Sequence, residues 1–178
     1  MREALRILQS DHLVDYVPHR GTVVSTLSEV DLDEIFKLRG LLEPAAVADA
    51  LERISDTDME RVEELHTILL ELPVDATSAF SDANRNWHWA LYDLADSPLM
   101  TDFLNRLWEA FPWRAIAAVE GRRSASVAEH EAVMQALRTR DATAAVEAMR
   151  THVFSSRAFV LHPRQVGVIT DARRFGAH

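Results

Sequence analysis

The sequence predicts an all-α protein, an antiparallel helical bundle preceded by a small β-hairpin. Three observations carry that prediction. From residue 28 onward apolar residues recur with the 3.6-residue period of amphipathic helices. The helical stretches are short and are punctuated by Ser28, Ser55, Ser97, Gly121 and Asp141, residues that start or stop helices. Only between Leu13 and Leu27 does the period fall to two, in "LVDYV", "PHRG" and "TVVSTL".

In chain order, Arg2 to Gln9 reads as a short helix with Ala4, Leu5 and Leu8 on one face. The hairpin follows, with Pro18 and Gly21 at its tip where the turn geometry needs them. Ser28 caps a helix from Glu29 to Ile54, whose predicted buried stripe is Ile35, Leu38, Leu42, Ala45 and Ala46. Ser55 and Asp58 form a capping box for a helix to about Leu72. A third spans about Ala76 to Ala95. Ser97 and Pro98 open a fourth, reaching about Val119 with a kink at Pro112. Two more lie near Ser126 to Thr139 and Ala142 to Ala158, divided by Asp141, and the stretch from His162 reads as a loose tail.

The chain has 178 residues, 48% hydrophobic and 26% charged, which suits one soluble globular core. With no cysteine, disulfides and thiolate chemistry are excluded, and any metal falls to histidine and oxygen ligands. No apolar run is long enough to span a membrane and no signal-peptide pattern opens the chain, so the expectation is a cytoplasmic protein without a membrane partner. A net charge of −9 argues against nucleic-acid binding by the main body. Yet Arg2, Arg6, His19 and Arg20 concentrate positive charge in the first stretch, while acids dominate from Glu29 to Glu71. The asymmetry points to two functional regions.

A short helix followed by a hairpin is the back half of a winged helix-turn-helix. The opening "REALRILQSDHLVDYVPHRGTVVSTLS" resembles the end of the DNA-binding domain of GntR-type bacterial transcription regulators, with "PHRG" in the wing. The resemblance implies that Arg2, His19 and Gly21 touch DNA. Met1 stands where the family usually has Val, so the chain reads as truncated within the recognition helix. The expectation is that it binds DNA poorly as it stands, and that its complete parent binds an operator as a homodimer. From about Leu32 to Ala158 the chain resembles the all-helical FCD effector domain of the FadR subgroup. The motifs are "LRGLLEPAA", "NRNWHWALYDLADSPLM" and "EHEAVMQALRTRDATAAVEAMRTH", in that order. Three regions follow: 1–27, the partial winged helix-turn-helix; 28–160, the FCD-like effector and dimerisation domain; and 161–178, the tail.

Asn84 and His88 are four apart on one helix and so share a face. His130 and His152 lie on later helices beside apolar positions such as Val133, Ala148 and Met149. A lone inward histidine is more often a hydrogen-bonded core residue, whereas three converging imidazoles suit a divalent transition metal. The resemblance implies the second reading, because metal-binding members place Asp or Asn, then three His, at the positions of Asn84, His88, His130 and His152. The cofactor is then Zn, with Ni or Mn as alternatives. Asn84 supplies a neutral oxygen where many relatives have a carboxylate, which weakens metal affinity and strengthens attraction for an anion.

By itself, Arg39 could simply form an i,i+4 pair with Glu43 worth a few tenths of a kcal/mol. The resemblance implies instead that Arg39 faces the cavity and grips a small organic acid effector. Arg114, Arg122 and Arg123 are weaker candidates for the same cavity or its rim. His12, His19, His66 and His162 read as surface or wing residues, and Trp87, Trp89, Trp108 and Trp113 as core and interface. The function implied is a ligand-responsive regulator, a repressor, sensing a small carboxylate through a metal-containing cavity. A sensor and dimerisation partner without DNA binding is the alternative. A metal-dependent hydrolase with Glu129 or Glu131 as base fits less well, for lack of H-E-x-x-H spacing or a nucleophile–base pair.

Overall fold

The structure is a computed structural model that describes residues 14–17, 21–24, 27–111, 113, 117–119 and 121–161. Among the described residues, a hairpin of β1 (Val14–Val17) and β2 (Gly21–Val24) precedes six α-helices of more than ten residues. These are α1 (Glu29–Arg53), α2 (Asp56–Glu71), α3 (Thr77–Tyr92), α4 (Pro98–Glu109), α5 (Arg122–Arg138) and α6 (Ala142–Leu161). Among the described residues no strand lies beyond the hairpin. Its strands pair antiparallel with Val14 opposite Val24 and Val17 opposite Gly21. Gly21 has a φ of +78°, a conformation that costs other residues a steric penalty.

Three of the four side-chain caps read from the sequence, at Ser28, Ser55 and Asp141, do their expected work. Ser28 and Ser55 each accept a hydrogen bond from the backbone N–H three residues on, at 3.1 and 3.2 Å. Asp31 and Asp58 accept in return from the serine N–H groups at 2.8 and 3.0 Å, completing two capping boxes. The Asp141 carboxylate accepts from the Ala144 N–H at 2.9 Å and starts α6. Ser97 makes no side-chain cap, and α4 instead starts on Pro98.

Four boundaries differ from the prediction, one of them the end of α6, which runs to Leu161 rather than Ala158. The helix starting near Ala76 ends at Tyr92, and Asp93–Ala95 tightens into a single 3-10 turn. The helix opened by Pro98 stops at Glu109. There Phe111 turns into the core and the Trp113 indole donates to the Trp108 carbonyl at 2.8 Å, folding the chain back; Pro112 lies outside the described residues. The α5 helix starts at Arg122, four residues before the predicted Ser126, directly after Gly121 at φ +78°.

The stripe of α1 is also rotated. Leu38 is 46% exposed and Ala45 is exposed, whereas Leu32, Ile35, Phe36, Arg39, Glu43 and Val47 are buried. The inward face contains a charged pair, which a count of apolar residues cannot register. Along that face α1 lies against α6, α6 against α5, and α2 against α3. Gly40 permits the closest approach: a Cβ there would meet the Phe154 ring at 2.7 Å. Leu69, Trp87, Leu91, Leu104, Met134 and Met149 fill the centre without solvent exposure.

Candidate metal and anion site

Helical register brings three histidines to the centre of the bundle. On α3, His88 belongs to the buried row of Phe80, Ala83, Trp87, Leu91 and Tyr92. His130 on α5 shares its row with Ser126, Val133, Met134 and Leu137. His152 on α6 lies between the buried Met149 and Ser156. All three are buried, and one ring nitrogen from each lies within 4.8 Å of the others.

Hydrogen bonds orient two of the rings. His152 Nδ1 is 2.8 Å from Glu129 Oε2, and His88 Nδ1 is 2.7 Å from the Tyr92 hydroxyl. Their Nε2 atoms consequently face each other at 3.2 Å. The third ring, His130, stacks on Trp87 with centroids 4.1 Å apart, and neither of its nitrogens has a partner. Burial holds all three pKa values well below the ordinary histidine value, and neighbouring positive or titratable groups add to the effect: His152 and His130 on His88, His152 on His130, Arg122 on His152. The rings are therefore neutral and able to offer lone pairs.

The two Nε2 atoms at that distance need a proton or a cation between them, and unpaired buried nitrogens such as those of His130 are rare in folded proteins. A divalent transition ion answers both problems, so the donor set fits the group. Asn84, one turn before His88, is partly buried and lines the same cavity; its Oδ1 receives a long contact from Ser126 Oγ at 3.5 Å.

From His88 and His152 the cavity extends to Arg39, bounded by Phe80, Ser81, Trp108, Trp113, Arg122 and Ser156, with a volume of about 30 Å³. The Arg39–Glu43 pair is not a surface pair: both side chains are fully buried, with Nε donating to Oε1 at 2.5 Å. The guanidinium carbon stands 4.3 Å from the Trp113 ring centroid and 5.0 Å from that of Trp108. Both terminal nitrogens, Nη1 and Nη2, are buried without a partner. Arg122 also lines the cavity but is satisfied, through Glu129 at 3.1 Å and Ser156 Oγ at 2.7 Å.

Arg123 belongs elsewhere: it donates to the carbonyls of Leu72 and Pro73 and covers Phe80, so it holds the α2–α3 connection. His66 is not a surface residue. It is 2% exposed, its ring is 6.4 Å from Trp87 and 6.5 Å from His130, and burial lowers its pKa. The apolar row of Val62, Leu65 and Leu69 on α2 was the signal that could have placed it inside. Gly21 is the exposed first residue of β2, while Arg2, His12, His19, Arg114 and His162 lie outside the described residues. Tyr92 escaped sequence reasoning, although it stands four residues after His88.

Residues 34–155 match the family model described as the FCD domain. The HTH-type transcriptional regulator BphR of Paraburkholderia xenovorans is 29% identical over 178 residues, covering 95% of this chain and 71% of BphR. The galactonate operon transcriptional repressor of Escherichia coli is 24% identical, covering 88% of this chain and 77% of the repressor. Among solved structures, E. coli McbR/YncC superposes with a TM-score of 0.75 at 21% identity, over 90% of this chain and 82% of that one. A GntR-type regulator from Rhodococcus sp. RHA1 gives a TM-score of 0.67 at 22% identity, over 93% and 78%. At these identities the structural matches speak for the fold.

Proposed function

Because the chain belongs to the FCD-domain family of GntR-type transcriptional regulators, we propose that its helical bundle senses a small organic acid at a metal-containing cavity and that the protein acts as a repressor. It is a regulator and not an enzyme. His88, His130 and His152 would hold the ion, Zn or else Ni or Mn, with Asn84 completing the set. When bound, the ion supplies a positive site for a carboxylate oxygen. Arg39 meets the same anion from the far side with its two Nη groups, a fork suited to a carboxylate.

One observation carries this reading. Among the described residues, the buried side-chain nitrogens and oxygens without partners all belong to Arg39, Glu43, His66, Trp87 and His130. Leaving a buried polar group unpaired costs about 1–3 kcal/mol, so such atoms mark where a ligand belongs. Of these, Arg39 lines the cavity that reaches His88 and His152, and the His130 ring stands beside both histidines.

The hairpin is read as the wing of a DNA-binding region, residues 1–27, in which Arg2, His19 and Gly21 contact operator DNA. The effector unit is residues 28–160, and a homodimer would match a palindromic operator. The test is calorimetry on the metal-loaded protein with a panel of small carboxylates, sugar acids first, because one relative is named for a galactonate operon. For the tightest binder, Arg39→Ala should cost about 2–4 kcal/mol of affinity. A cost under about 1 kcal/mol would remove Arg39 from the effector site.

A further inference from the structure

We propose that Trp113 is a positioning residue for the effector site: its indole face holds the Arg39 guanidinium so that both terminal nitrogens keep their N–H groups for the incoming carboxylate. This rests on the effector reading above and deepens it.

A guanidinium carries five N–H donors in one plane, and its use as a fork depends on how that plane is turned. At Arg39 one edge is pinned. Nε donates to Glu43 Oε1 at 2.5 Å, and the Trp108 indole donates to the same oxygen at 3.0 Å. A single hydrogen bond leaves the plane free to tilt about its axis. Aromatic rings limit that freedom: the guanidinium carbon stands 4.3 Å from the Trp113 centroid, nearer than to Trp108 at 5.0 Å or Phe36 at 5.5 Å.

Trp113 is itself held. Its N–H donates to the Trp108 carbonyl at 2.8 Å, and its ring packs on Trp108 and Phe111 with centroids 4.4 Å from each. It is half-buried, whereas Trp87 and Trp108 are core residues, and it lines the cavity beside Arg39. With its one donor used, the indole offers the arginine its π face. A π face attracts the cation without accepting its in-plane N–H groups. A carbonyl or carboxylate in the same place would orient the guanidinium by taking the donors that the effector needs. Two other arginines show that contrast. Arg123, over the Phe80 ring, gives its donors to the Leu72 and Pro73 carbonyls, and Arg85, over Trp89, donates to Asn105 at 2.7 Å. Arg39 is wholly buried and still keeps Nη1 and Nη2 without a partner.

The experiment titrates acetate into the full chain, as wild type, Trp113→Phe and Trp113→Leu, and follows the Arg39 Hη resonances in ¹H–¹⁵N spectra. Trp113→Phe keeps a π face, whereas Trp113→Leu keeps apolar bulk without one, so the pair separates orientation from packing. Free wild type should show these signals upfield of the ordinary arginine position, through the Trp113 ring current, and acetate should move them downfield to saturation. Trp113→Leu should bind acetate roughly 5- to 30-fold more weakly, and Trp113→Phe within about threefold of wild type. Trp113→Leu within about threefold of wild type, or Trp113→Phe as weak as Trp113→Leu, overturns the positioning role and leaves Arg39 in the effector site. Wild-type Arg39 signals that acetate does not move overturn the effector reading as well. The ring-current shift is read in the wild type, and its absence there sinks the claim even if neither variant folds.

Discussion

Acidifying the metal-free protein from pH 7 to pH 5.5 should remove about 4 kcal/mol of folding stability through three histidines alone. In the unfolded chain each imidazole titrates near its ordinary value of about 6.5. In the folded chain burial keeps His88, His130 and His152 neutral well below that. Between those limits the unfolded state binds protons that the folded state refuses. The stabilisation is therefore complete above the unfolded pKa and is lost as pH falls below it. A histidine that stays neutral when folded contributes a loss of about 1.4 kcal/mol at pH 5.5 against about 0.2 at pH 7, so three give about 4. His66, also lowered by burial, adds in the same direction. Against a typical total of about 5–15 kcal/mol the effect is large. Urea unfolding in the presence of chelator, at constant ionic strength and in half-unit pH steps, measures it. His130→Gln should flatten the dependence by about a third. A loss below about 1 kcal/mol across the range would mean that the folded cluster accepts protons, and the neutral-imidazole picture would fail.

Other substitutions report on the frame around the site. Trp87→Ala removes the buried shelf on which His130 stacks and should cost about 3–5 kcal/mol by denaturant titration. Ser55→Ala breaks the α2 capping box and should cost about 1 kcal/mol without affecting Zn²⁺ affinity. A Ser55→Ala protein that loses metal binding would show that α2 supports the site more directly than its position suggests.

Most caps and the order of the described elements were legible because they depend on local chemistry: a serine with an aspartate three residues on, a glycine, or a proline leaves the same mark in any fold. The inward face of α1 was less so. Arg39 and Glu43 occupy it as a buried pair, and periodicity arguments assume that charged residues point outward. The histidine cluster was visible only through resemblance, since nothing in the spacing of His88, His130 and His152 says that three helices converge. His66 was missed for the same reason, since Trp87 and His130 reach it from other helices, whereas Tyr92 stands one turn after His88 on the same helix and its contact was within reach of the sequence.

The most direct test of the central claim is the stoichiometry of Zn²⁺ uptake by chelator-stripped protein, measured by titration calorimetry for the wild type and His130→Ala. The account predicts one ion per chain for the wild type, a rise in melting temperature on loading, and loss of both in His130→Ala. Sub-stoichiometric uptake with no change in melting temperature, or uptake that survives His130→Ala unchanged, would contradict it and leave the three imidazoles as packing.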